Sequence, residues 1–351
     1  MSIGTVILGA SGYVGGELLR LLINHPGFEL AAAVSAKHCG EKIGSVFPHL
    51  DSAYAHTRFV SMDSWTGMFD QGDRIAIFSA AAHGRSARQI KQALGKAADI
   101  ELDVHVVDSS ADFRFSSLRE YETVYGCEHP ARELVAEFSC ALPEHASGTP
   151  TRHVGHPGCF ATAILLSAVP LYRDGLLKSD AFVTGITGST GAGRQPRPGT
   201  HHPERHNNLY AYSPLVHRHV AEVHNLIRDA TGQPGRISFV PHSGPFARGI
   251  YATLQATLDQ PASSGKLLEI FDSFYADAEF VHISKDVPKL KHVVASNYAR
   301  ISVSTLGKRV AVHCAIDNLV KGAAGGAIQW MNRLWSLPET NGLTNPPSAW
   351  I

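Results

Sequence analysis

The first twenty-three residues constrain the fold of this chain more than any other segment. Thr5 to Leu8 is a short run of β-forming residues, a glycine-rich turn follows it, and Glu17 to Ile23 has apolar residues at helical spacing. A strand, glycine turn and helix in this order typically bind a dinucleotide, because the glycines let the backbone approach the pyrophosphate and the helix N-terminus binds its charge. The residues expected to contact the cofactor in this turn are Gly9, Ala10, Ser11, Gly12, Tyr13 and Val14.

The end of the second strand indicates which dinucleotide binds. Folds specific for NAD place an Asp or Glu there, which binds the ribose 2′-hydroxyl. Here the strand from Glu29 to Val34 ends in Ser35, Ala36 and Lys37, without a carboxylate. A hydroxyl and a cation suit a 2′-phosphate, which a carboxylate would repel. We therefore predict NADP, bound by Ser35 and Lys37, although Lys37 is equally compatible with an ordinary surface lysine.

The first half of the chain continues as alternating strands and helices. Strand-like runs cover Thr5 to Leu8, Leu30 to Val34, Arg74 to Phe78 and Val104 to Asp108, and Ser86 to Leu94 has a helical pattern. This alternation predicts an α/β fold with a doubly wound, parallel sheet of the Rossmann type. Turns at the carboxyl ends of such strands face the ligand, so we expect Ser79 and Ala80 to contact the cofactor.

The second half has a different pattern, in which β-rich runs are separated by helices near Glu222 to Ala230 and Ser264 to Tyr275. The Leu306-Gly307-Lys308 turn between two such runs predicts an antiparallel hairpin. We predict an α+β catalytic domain with one sheet face used for dimerisation, and a homodimer or homotetramer. A length of 351 residues favours two domains. Residues 1–155, with about 318–351 packing back on them, would bind NADP, and 156–317 would form the catalytic and dimerisation domain.

Composition argues against several functional classes. Lysine plus arginine and aspartate plus glutamate both number 31, so no net charge favours nucleic acid. No apolar run reaches membrane-spanning length, and the first strand begins too early to leave room for a signal peptide. Five cysteines without paired metal spacing are typical of free thiols in a cytoplasmic protein. The histidines at 201, 202 and 206 have only Glu204 nearby to complete a ligand set, so no metal is expected.

Cys159 is the strongest candidate for a catalytic group. Pro157 and Gly158 interrupt the preceding structure, and the apolar stretch from Ala161 predicts a buried helix, so the thiol lies at or near a helix N-terminus. The N–H groups and dipole of the helix favour a thiolate, which is the nucleophilic form. The alternative is a core residue, since cysteine often behaves as a small hydrophobe. The bend and the helix behind it favour the catalytic interpretation.

Two histidines, His217 and His219, precede a predicted helix that begins near Ala221. Either can take the thiol proton and later act on a tetrahedral intermediate. Residues two apart on an extended segment point the same way, so both side chains can enter one cleft. We favour His219 as the acid/base and expect His217 to contribute chiefly to substrate binding. The alternative is a polar loop at a helix start.

Several arginines and small residues complete the candidate site. The arginine fork suits a phosphate or a carboxylate, although Arg114 could instead pair with Asp112. The residues expected to bind the substrate are Ser110, Arg114, Arg194 and Arg218. Two glycine-rich segments could contact the nicotinamide half of the cofactor, through Gly191, Ala192 and Asn318. Close helix packing would also explain the small residues that follow Asn318.

Seven motifs in a fixed order resemble the N-acetyl-gamma-glutamyl-phosphate reductases, relatives of the aspartate-semialdehyde dehydrogenases. The motifs are Gly9 to Gly15, Ser110 to Arg114, Pro157 to Thr162, Gly191 to Arg194, His217 to His219, Arg248 to Ile250 and Asp317 to Gly325. The resemblance covers nearly the whole length. It implies NADPH-dependent reduction of a small-molecule acyl phosphate to an aldehyde in arginine biosynthesis, with Cys159 as the nucleophile. The chain departs from the family at His156, where the family usually has Asn.

Other functions remain open at this point. A lysine-pathway reductase would act on a carrier-bound aminoadipyl phosphate, and its acidic carrier would require a basic rim that a neutral chain does not indicate. A cysteine acyltransferase with a vestigial nucleotide domain would explain Cys159 but not the N-terminal turn. A nucleotide-sensing binding protein would explain the turn but not the thiol.

Overall fold

The structure is a computed structural model that describes residues 2–147, 151–177 and 179–349. It divides into two compact units. The first contains the residues up to Pro157 together with Ala323–Thr344, and the second contains Gly158–Gly322 with the residues from Asn345 onwards. The chain thus enters the second unit directly before Cys159 and leaves it after Gly322.

Both units contain helices and strands. The elements up to residue 157 are β1 (Ile3–Leu8), α1 (Tyr13–Leu22), β2 (Phe28–Val34), α2 (Ile43–Val46), β3 (Phe59–Val60), β4 (Arg74–Ser79), α3 (Ser86–Asp99), β5 (Asp103–Asp108), α4 (Leu118–Tyr125), β6 (Phe138–Cys140) and β7 (His153–Gly155). Those that follow are α5 (Cys159–Arg173), β8 (Ala181–Thr187), α6 (His202–Arg205), β9 (Tyr210–Ala211), α7 (His219–Thr231), β10 (Ile237–Ser243), β11 (Ile250–Thr257), α8 (Ser264–Phe274), β12 (Val281–Ile283), β13 (Ala299–Leu306), β14 (Arg309–Ile316) and α9 (Gly325–Leu334).

The first unit is built on a seven-stranded sheet in the order β3-β2-β1-β4-β5-β7-β6. All of its strand pairs are parallel, which confirms the predicted parallel α/β sheet. Val6, Ile77 and Val106, on three neighbouring strands, are completely buried in its core. Because the strands are parallel, their carboxyl ends meet at one edge, and the glycine turn after β1 lies at that edge.

The second unit contains a mixed sheet in the order β12-β13-β14-β11-β8-β10-β9. The predicted hairpin between β13 and β14 is confirmed, and Gly307 adopts a positive φ of 63° in its two-residue turn. Two pairs differ from the antiparallel expectation, since β8–β10 and β12–β13 are parallel. The β8–β10 connection includes α7, so it is a crossover that returns the chain in the same direction.

Helix α5 lies at the centre of the second unit. Every residue from Phe160 to Tyr172 is buried, as expected for a helix that is apolar on all sides. Its polar side chains donate to carbonyls one turn earlier, Thr162 to Gly158 at 3.1 Å and Ser167 to Ala163 at 2.8 Å. The helix is therefore a fixed support for the residue at its start, Cys159.

Two further observations apply to residues 2–147, 151–177 and 179–349. In these ranges no helix is long and apolar enough to cross a lipid bilayer, and no three His, Cys, Asp or Glu side chains are grouped as metal ligands would be. All five cysteines are free thiols.

Candidate active site

Cys159 is the first residue of α5, with Gly158 as its N-cap. The thiol-bearing residue is thus located in the first helical turn, where backbone N–H groups lack acceptors within the helix. It is partly exposed, whereas the rest of the helix is buried up to Tyr172. The predicted position of Cys159 at a helix N-terminus is confirmed, and the helix begins two residues earlier than Ala161.

Glu222 fixes the bend before Cys159. Its side chain is completely buried on α7, and Oε1 accepts a hydrogen bond from the Gly158 N–H at 2.7 Å. This bond joins the start of α5 to α7, the helix whose first residue is His219. Glu222 was not among the site residues predicted from the sequence. The signal was its position three residues after His219, which places both on one face of a helix.

His217 and His219 lie side by side, with ring centroids 4.6 Å apart. The His219 backbone N–H donates to His217 Nδ1 at 3.2 Å. Burial, with a smaller effect of the Arg218 charge, lowers the pKa of His217 to about 4. His217 is therefore neutral near pH 7. The expectation that both histidines precede the helix was wrong for His219, which is the first residue of α7.

Two aromatic rings lie beside His217. The ring of Phe160, the residue after Cys159, lies 6.1 Å from the His217 ring, and the Tyr212 ring lies 5.8 Å from the His217 ring. Burial raises the pKa of Tyr212, and the charge of Cys159 raises it further, so Tyr212 remains a neutral hydroxyl near the thiol. Tyr212 was also missed by the sequence analysis, because only the folded chain brings it to Cys159.

The predicted nicotinamide-contact residues of the second unit come together. Asn318 Oδ1 accepts from the Gly249 N–H at 2.7 Å, and its Nδ2 donates to Thr190 Oγ1 at 3.1 Å. A methyl group on Gly191 would lie 3.9 Å from that Nδ2, so the loop with Gly191 and Ala192 runs beside Asn318. Asn318 thus holds the glycine loop in place.

The predicted substrate-binding arginines have different environments. Arg194 and Arg218 are exposed in the second unit, the latter as the N-cap of α7. Arg114, in the first unit, is buried, and it donates through Nε to the His156 carbonyl at 3.0 Å and through Nη2 to the Ser109 carbonyl at 3.1 Å. The fold therefore fixes the Arg114 guanidinium with backbone carbonyls.

The hydrogen bonds of Asp112 go to groups other than Arg114, the alternative partner that the sequence allowed. Its carboxylate accepts hydrogen bonds from His83 and from the backbone N–H groups of Gly84 and Ala87, which caps the start of α3. Burial alone would raise the pKa of Asp112, but these hydrogen bonds lower it below the ordinary value. The neighbouring Ser110 hydroxyl donates to Asp108 at 2.7 Å, so Ser110 belongs to this buried network.

The glycine turn of the first unit fits a dinucleotide. Gly9 has a positive φ of 72°, and a Cβ there would lie 2.8 Å from the Ala81 backbone. A Cβ on Gly15 would lie 2.4 Å from the Ala10 carbonyl oxygen, so close helix–strand packing also requires glycine. Both positions therefore keep the backbone compact where a pyrophosphate would approach.

The remaining predicted cofactor residues line the same sheet edge. The Ser11 and Ser35 hydroxyls are 2.9 Å apart, which joins the glycine turn to the end of β2, and Lys37 is exposed just beyond. The Ala80 N–H donates to the Leu8 carbonyl at 2.9 Å, so the β4 end lies beside the turn. Ser79 is completely buried, and its hydroxyl is bonded to that of Ser86. Its carbonyl also accepts from the Ser109 N–H at 2.9 Å, so neither the side chain nor the backbone of Ser79 is open to a cofactor in this structure.

Comparison with known proteins gives matches over almost the entire chain. Residues 5–144 match the family described as semialdehyde dehydrogenase, NAD binding domain, and residues 159–318 match semialdehyde dehydrogenase, dimerisation domain. An Aeropyrum pernix protein named as a LysW-L-2-aminoadipate/LysW-L-glutamate phosphate reductase is 35% identical over 97% of each chain. A Rhodopirellula baltica N-acetyl-gamma-glutamyl-phosphate reductase is 34% identical, covering 96% of this chain and 97% of the relative.

The fold also matches solved structures. Aspartate semialdehyde dehydrogenase II from Vibrio cholerae superposes with a TM-score of 0.69, covering 96% of this chain and 99% of the other, at 15% sequence identity.

Proposed function

Because the chain belongs to the semialdehyde dehydrogenase family, we propose that it reduces N-acetyl-gamma-glutamyl phosphate to N-acetylglutamate semialdehyde with NADPH and releases phosphate, as a step of arginine biosynthesis. The observation that carries this proposal is the position of Cys159 at the start of α5, in the same unit as His217 and His219. A cysteine acyltransferase or a simple nucleotide sensor is less well supported, because neither needs both matched domains.

The proposed reaction proceeds through a thioester on Cys159. His219 takes the thiol proton, the sulfur attacks the acyl carbon, and the carbon–oxygen bond to phosphate breaks as His219 returns the proton to the leaving oxygen. NADPH, when bound, supplies the hydride that reduces the thioester carbon. The resulting oxyanion re-forms the carbonyl, and the carbon–sulfur bond breaks with its electron pair on the Cys159 sulfur. The aldehyde leaves, and a proton from solvent restores the thiol. Arg194 and Arg218 would bind the anionic groups of the substrate.

The choice of NADPH rests on the end of β2. Ser35 is buried beside Ser11, Lys37 is exposed, and Ser35, Ala36 and Lys37 include no carboxylate that would repel a 2′-phosphate. The free thiols are compatible with a reducing cytoplasm, the compartment that we propose.

A carrier-bound acyl phosphate is the second candidate substrate. Besides the name of the Aeropyrum relative, one local feature favours it. The exposed segment from 193 to 218 carries Arg194, Arg197 and Arg218 on its surface and a single carboxylate, Glu204. This segment would form a basic rim, although the whole chain is neutral. Comparing turnover of free acetylglutamyl phosphate with that of a carrier-bound acyl phosphate distinguishes the two substrates.

We also propose that two copies of the chain pair through one face of the second sheet. Along β8, Ala181 and Val183 are buried against the helices, whereas Phe182 on the opposite face is 59% exposed. Leu306 on β13 is 70% exposed. The match to a dimerisation domain supports this face as the interface. Light scattering of the wild type and of Phe182→Asp tests this interface. The molar mass of the particle should be at least halved in the variant.

The decisive experiment for the reaction uses its reverse direction. With N-acetylglutamate semialdehyde and NADP, the wild type should form NADPH only when phosphate is present. Cys159→Ser should abolish this reaction while NADPH binding persists, because an alkoxide is far harder to form than a thiolate. Cys127→Ser, at an exposed thiol of the first unit, is the matched control and should retain full activity. Phosphate-independent turnover, or activity in Cys159→Ser, would contradict the proposal.

A further inference from the structure

Gly322 is packed directly against the proposed nucleophile. It lies in a π-helical turn, Val320–Ala324, at the point where the chain leaves the second unit. A methyl group built on Gly322 would lie 2.6 Å from Cβ and 3.0 Å from Cα of Cys159. Carbon atoms pack at about 3.5–4.0 Å, so that space is already filled. π-helical turns are rare and occur frequently at functional sites.

The backbone conformation of Gly322 does not itself require glycine. Gly322 is not among the glycines with positive φ, so alanine could adopt its backbone angles. A side chain at position 322 is obstructed by Cα and Cβ of Cys159. These atoms belong to the first residue of a helix and not to the end of a flexible side chain.

Neither Cys159 nor the turn that contains Gly322 can move easily. Cys159 begins α5, which is buried from Phe160 to Tyr172. On the other side, the Gly322 N–H donates to the Asp317 carbonyl at 3.0 Å. The completely buried Asp317 carboxylate accepts from the N–H groups of Leu319 and Val320 at 2.8 and 2.9 Å, so it holds the turn from its start.

An ion pair with the partly buried Arg248 fixes Asp317 in turn. Arg248 donates through Nε to Asp317 Oδ2 at 3.0 Å and through Nη2 to Oδ1 at 3.1 Å, and the Ala295 N–H donates to Oδ2 at 2.6 Å. Two parallel hydrogen bonds of this kind fix a carboxylate in direction as well as position. The turn that contacts Cys159 is therefore anchored independently of α5.

We propose that Gly322 is a positioning residue for Cys159. Its missing side chain lets the anchored turn pack against the first residue of α5, and this contact sets the direction in which the thiol points. The proposal rests on the role of Cys159 in the proposed reaction. An error of about 1 Å in the position of a reacting group can lower a rate about 10²-fold. A side chain at 322 must displace Cys159 or the turn, and either change misplaces the sulfur.

The test compares Gly322→Ala with Gly265→Ala. Gly265 lies in α8 of the same unit, and the nearest atom to a methyl group there would be 4.0 Å away, so this control fills open space. Gly322→Ala should lower kcat by about 10- to 100-fold with little change in KM. It should also change the rate at which iodoacetamide alkylates Cys159, measured by peptide mass spectrometry. Gly265→Ala should leave both rates unchanged.

A double variant removes the effect of general destabilisation. Replacing Cys159 with glycine deletes the atom that lies 2.6 Å from the new methyl group. Gly322→Ala should therefore lower the thermal midpoint less in the Cys159→Gly background than in the wild type. Equal lowering in both backgrounds, or wild-type kcat and alkylation in Gly322→Ala, overturns the proposal. A wild type without acetylglutamyl activity would contradict the proposed function, whereas the alkylation and stability measurements would still decide the role of Gly322.

Discussion

His217 accepts a hydrogen bond from the His219 backbone through Nδ1, so in the neutral ring its proton is on Nε2. With its pKa lowered to about 4 by burial, His217 would be a poor proton acceptor near pH 7. An acid/base with a low pKa holds its proton too rarely to deliver it at this pH. These features favour His217 as a neutral donor toward a substrate oxygen and leave the proton transfer to His219.

We expect His219→Asn to lower kcat by about two to four orders of magnitude, the usual contribution of a general acid/base. His217→Asn should chiefly raise KM, because it removes an Nε2–H donor while the proton-transfer group remains. Steady-state kinetics of both variants at one pH measure this difference. The reverse pattern would assign the acid/base role to His217.

Lys37 is the residue on which the proposed cofactor preference can be tested. Lys37→Glu should weaken NADPH binding more than NADH binding, because only NADPH carries a 2′-phosphate for the new carboxylate to repel. Dissociation constants of both cofactors, measured by fluorescence titration, give the ratio. Lys285→Glu makes the same change of charge on an exposed residue of the second unit and should leave the ratio unchanged. If Lys37→Glu changes both constants equally, Ser35 and Lys37 do not select the phosphate.

At the scale of elements, α7 holds two parts of the candidate site together. Its first residue is His219, and one turn later Glu222 accepts the Gly158 N–H that precedes Cys159. A shift of α7 would therefore move the histidine and the start of α5 at once. The helix is therefore part of the proposed catalytic arrangement as well as of the packing.

Glu222→Ala and Glu222→Gln distinguish the effect of the hydrogen bond to Gly158 from the effect of the Glu222 charge. Glutamine retains a side-chain oxygen that can accept from Gly158, whereas alanine leaves that buried N–H without its acceptor, at a cost of about 1–3 kcal/mol in unfolding free energy. We expect Glu222→Ala to lower both kcat and the thermal midpoint, and Glu222→Gln to restore much of each. Equal loss in the two variants would show that the charge, not the hydrogen bond, matters.

The elements that the sequence predicted are those with strong local signals. Strands β1, β2, β4 and β5 are apolar runs, and α5 follows a proline and a glycine. The start of α7 was placed two residues late because its N-cap, Arg218, makes no side-chain capping bond and gives no sequence signal. Strands of two or three residues, such as β3 and β9, are too short to show alternation.

The candidate site was predictable to the same extent. Cys159 and both histidines stand in local patterns, and the structure places all three in one unit. Glu222 was missed because its hydrogen bond with Gly158 joins distant parts of the chain, and Tyr212 was missed because its electrostatic interaction with Cys159 does the same. Both pairs lie more than 50 positions apart, which no local pattern encodes. The sequence left the small residues after Asn318, including Gly322, open to cofactor contact or close helix packing. Only the fold identified Cys159 as the neighbour of Gly322.

At the scale of the whole molecule, buried titratable groups connect stability to pH. Burial lowers the pKa of His25 and His217 to about 4 and that of His153 to about 3. In His25, hydrogen bonding also disfavours protonation. Its Nδ1 accepts from two backbone N–H groups, at 3.1 and 2.9 Å, and so has no place for a proton. In contrast, burial and the nearby charge of Asp112 raise the pKa of Asp108 to about 6.

The signs of these shifts give a net prediction for stability. Between each lowered pKa and the unfolded value of 6.5, the unfolded chain binds more protons than the folded one at His25, His153 and His217, so each group makes stability rise with pH in that window. Asp108 acts oppositely between 3.8 and about 6, because its folded form holds the proton and the resulting stability is lost as pH rises. Three groups outweigh one, so the thermal midpoint should rise from pH 4.5 to 7.

Calorimetry of His25→Gln measures the contribution of His25 to the pH dependence of stability. The variant loses hydrogen bonds and should be less stable at pH 7, but it also loses a group that must remain unprotonated in the fold. Its thermal midpoint should therefore depend less steeply on pH than that of the wild type. On acidification, the difference in unfolding free energy between the two proteins should decrease by on the order of 1–3 kcal/mol. His56→Gln, at an exposed histidine, should follow the wild-type curve. If the thermal midpoint of the wild type instead decreases as the pH is raised from 4.5 to 7, the effect of Asp108 on stability outweighs that of the buried histidines.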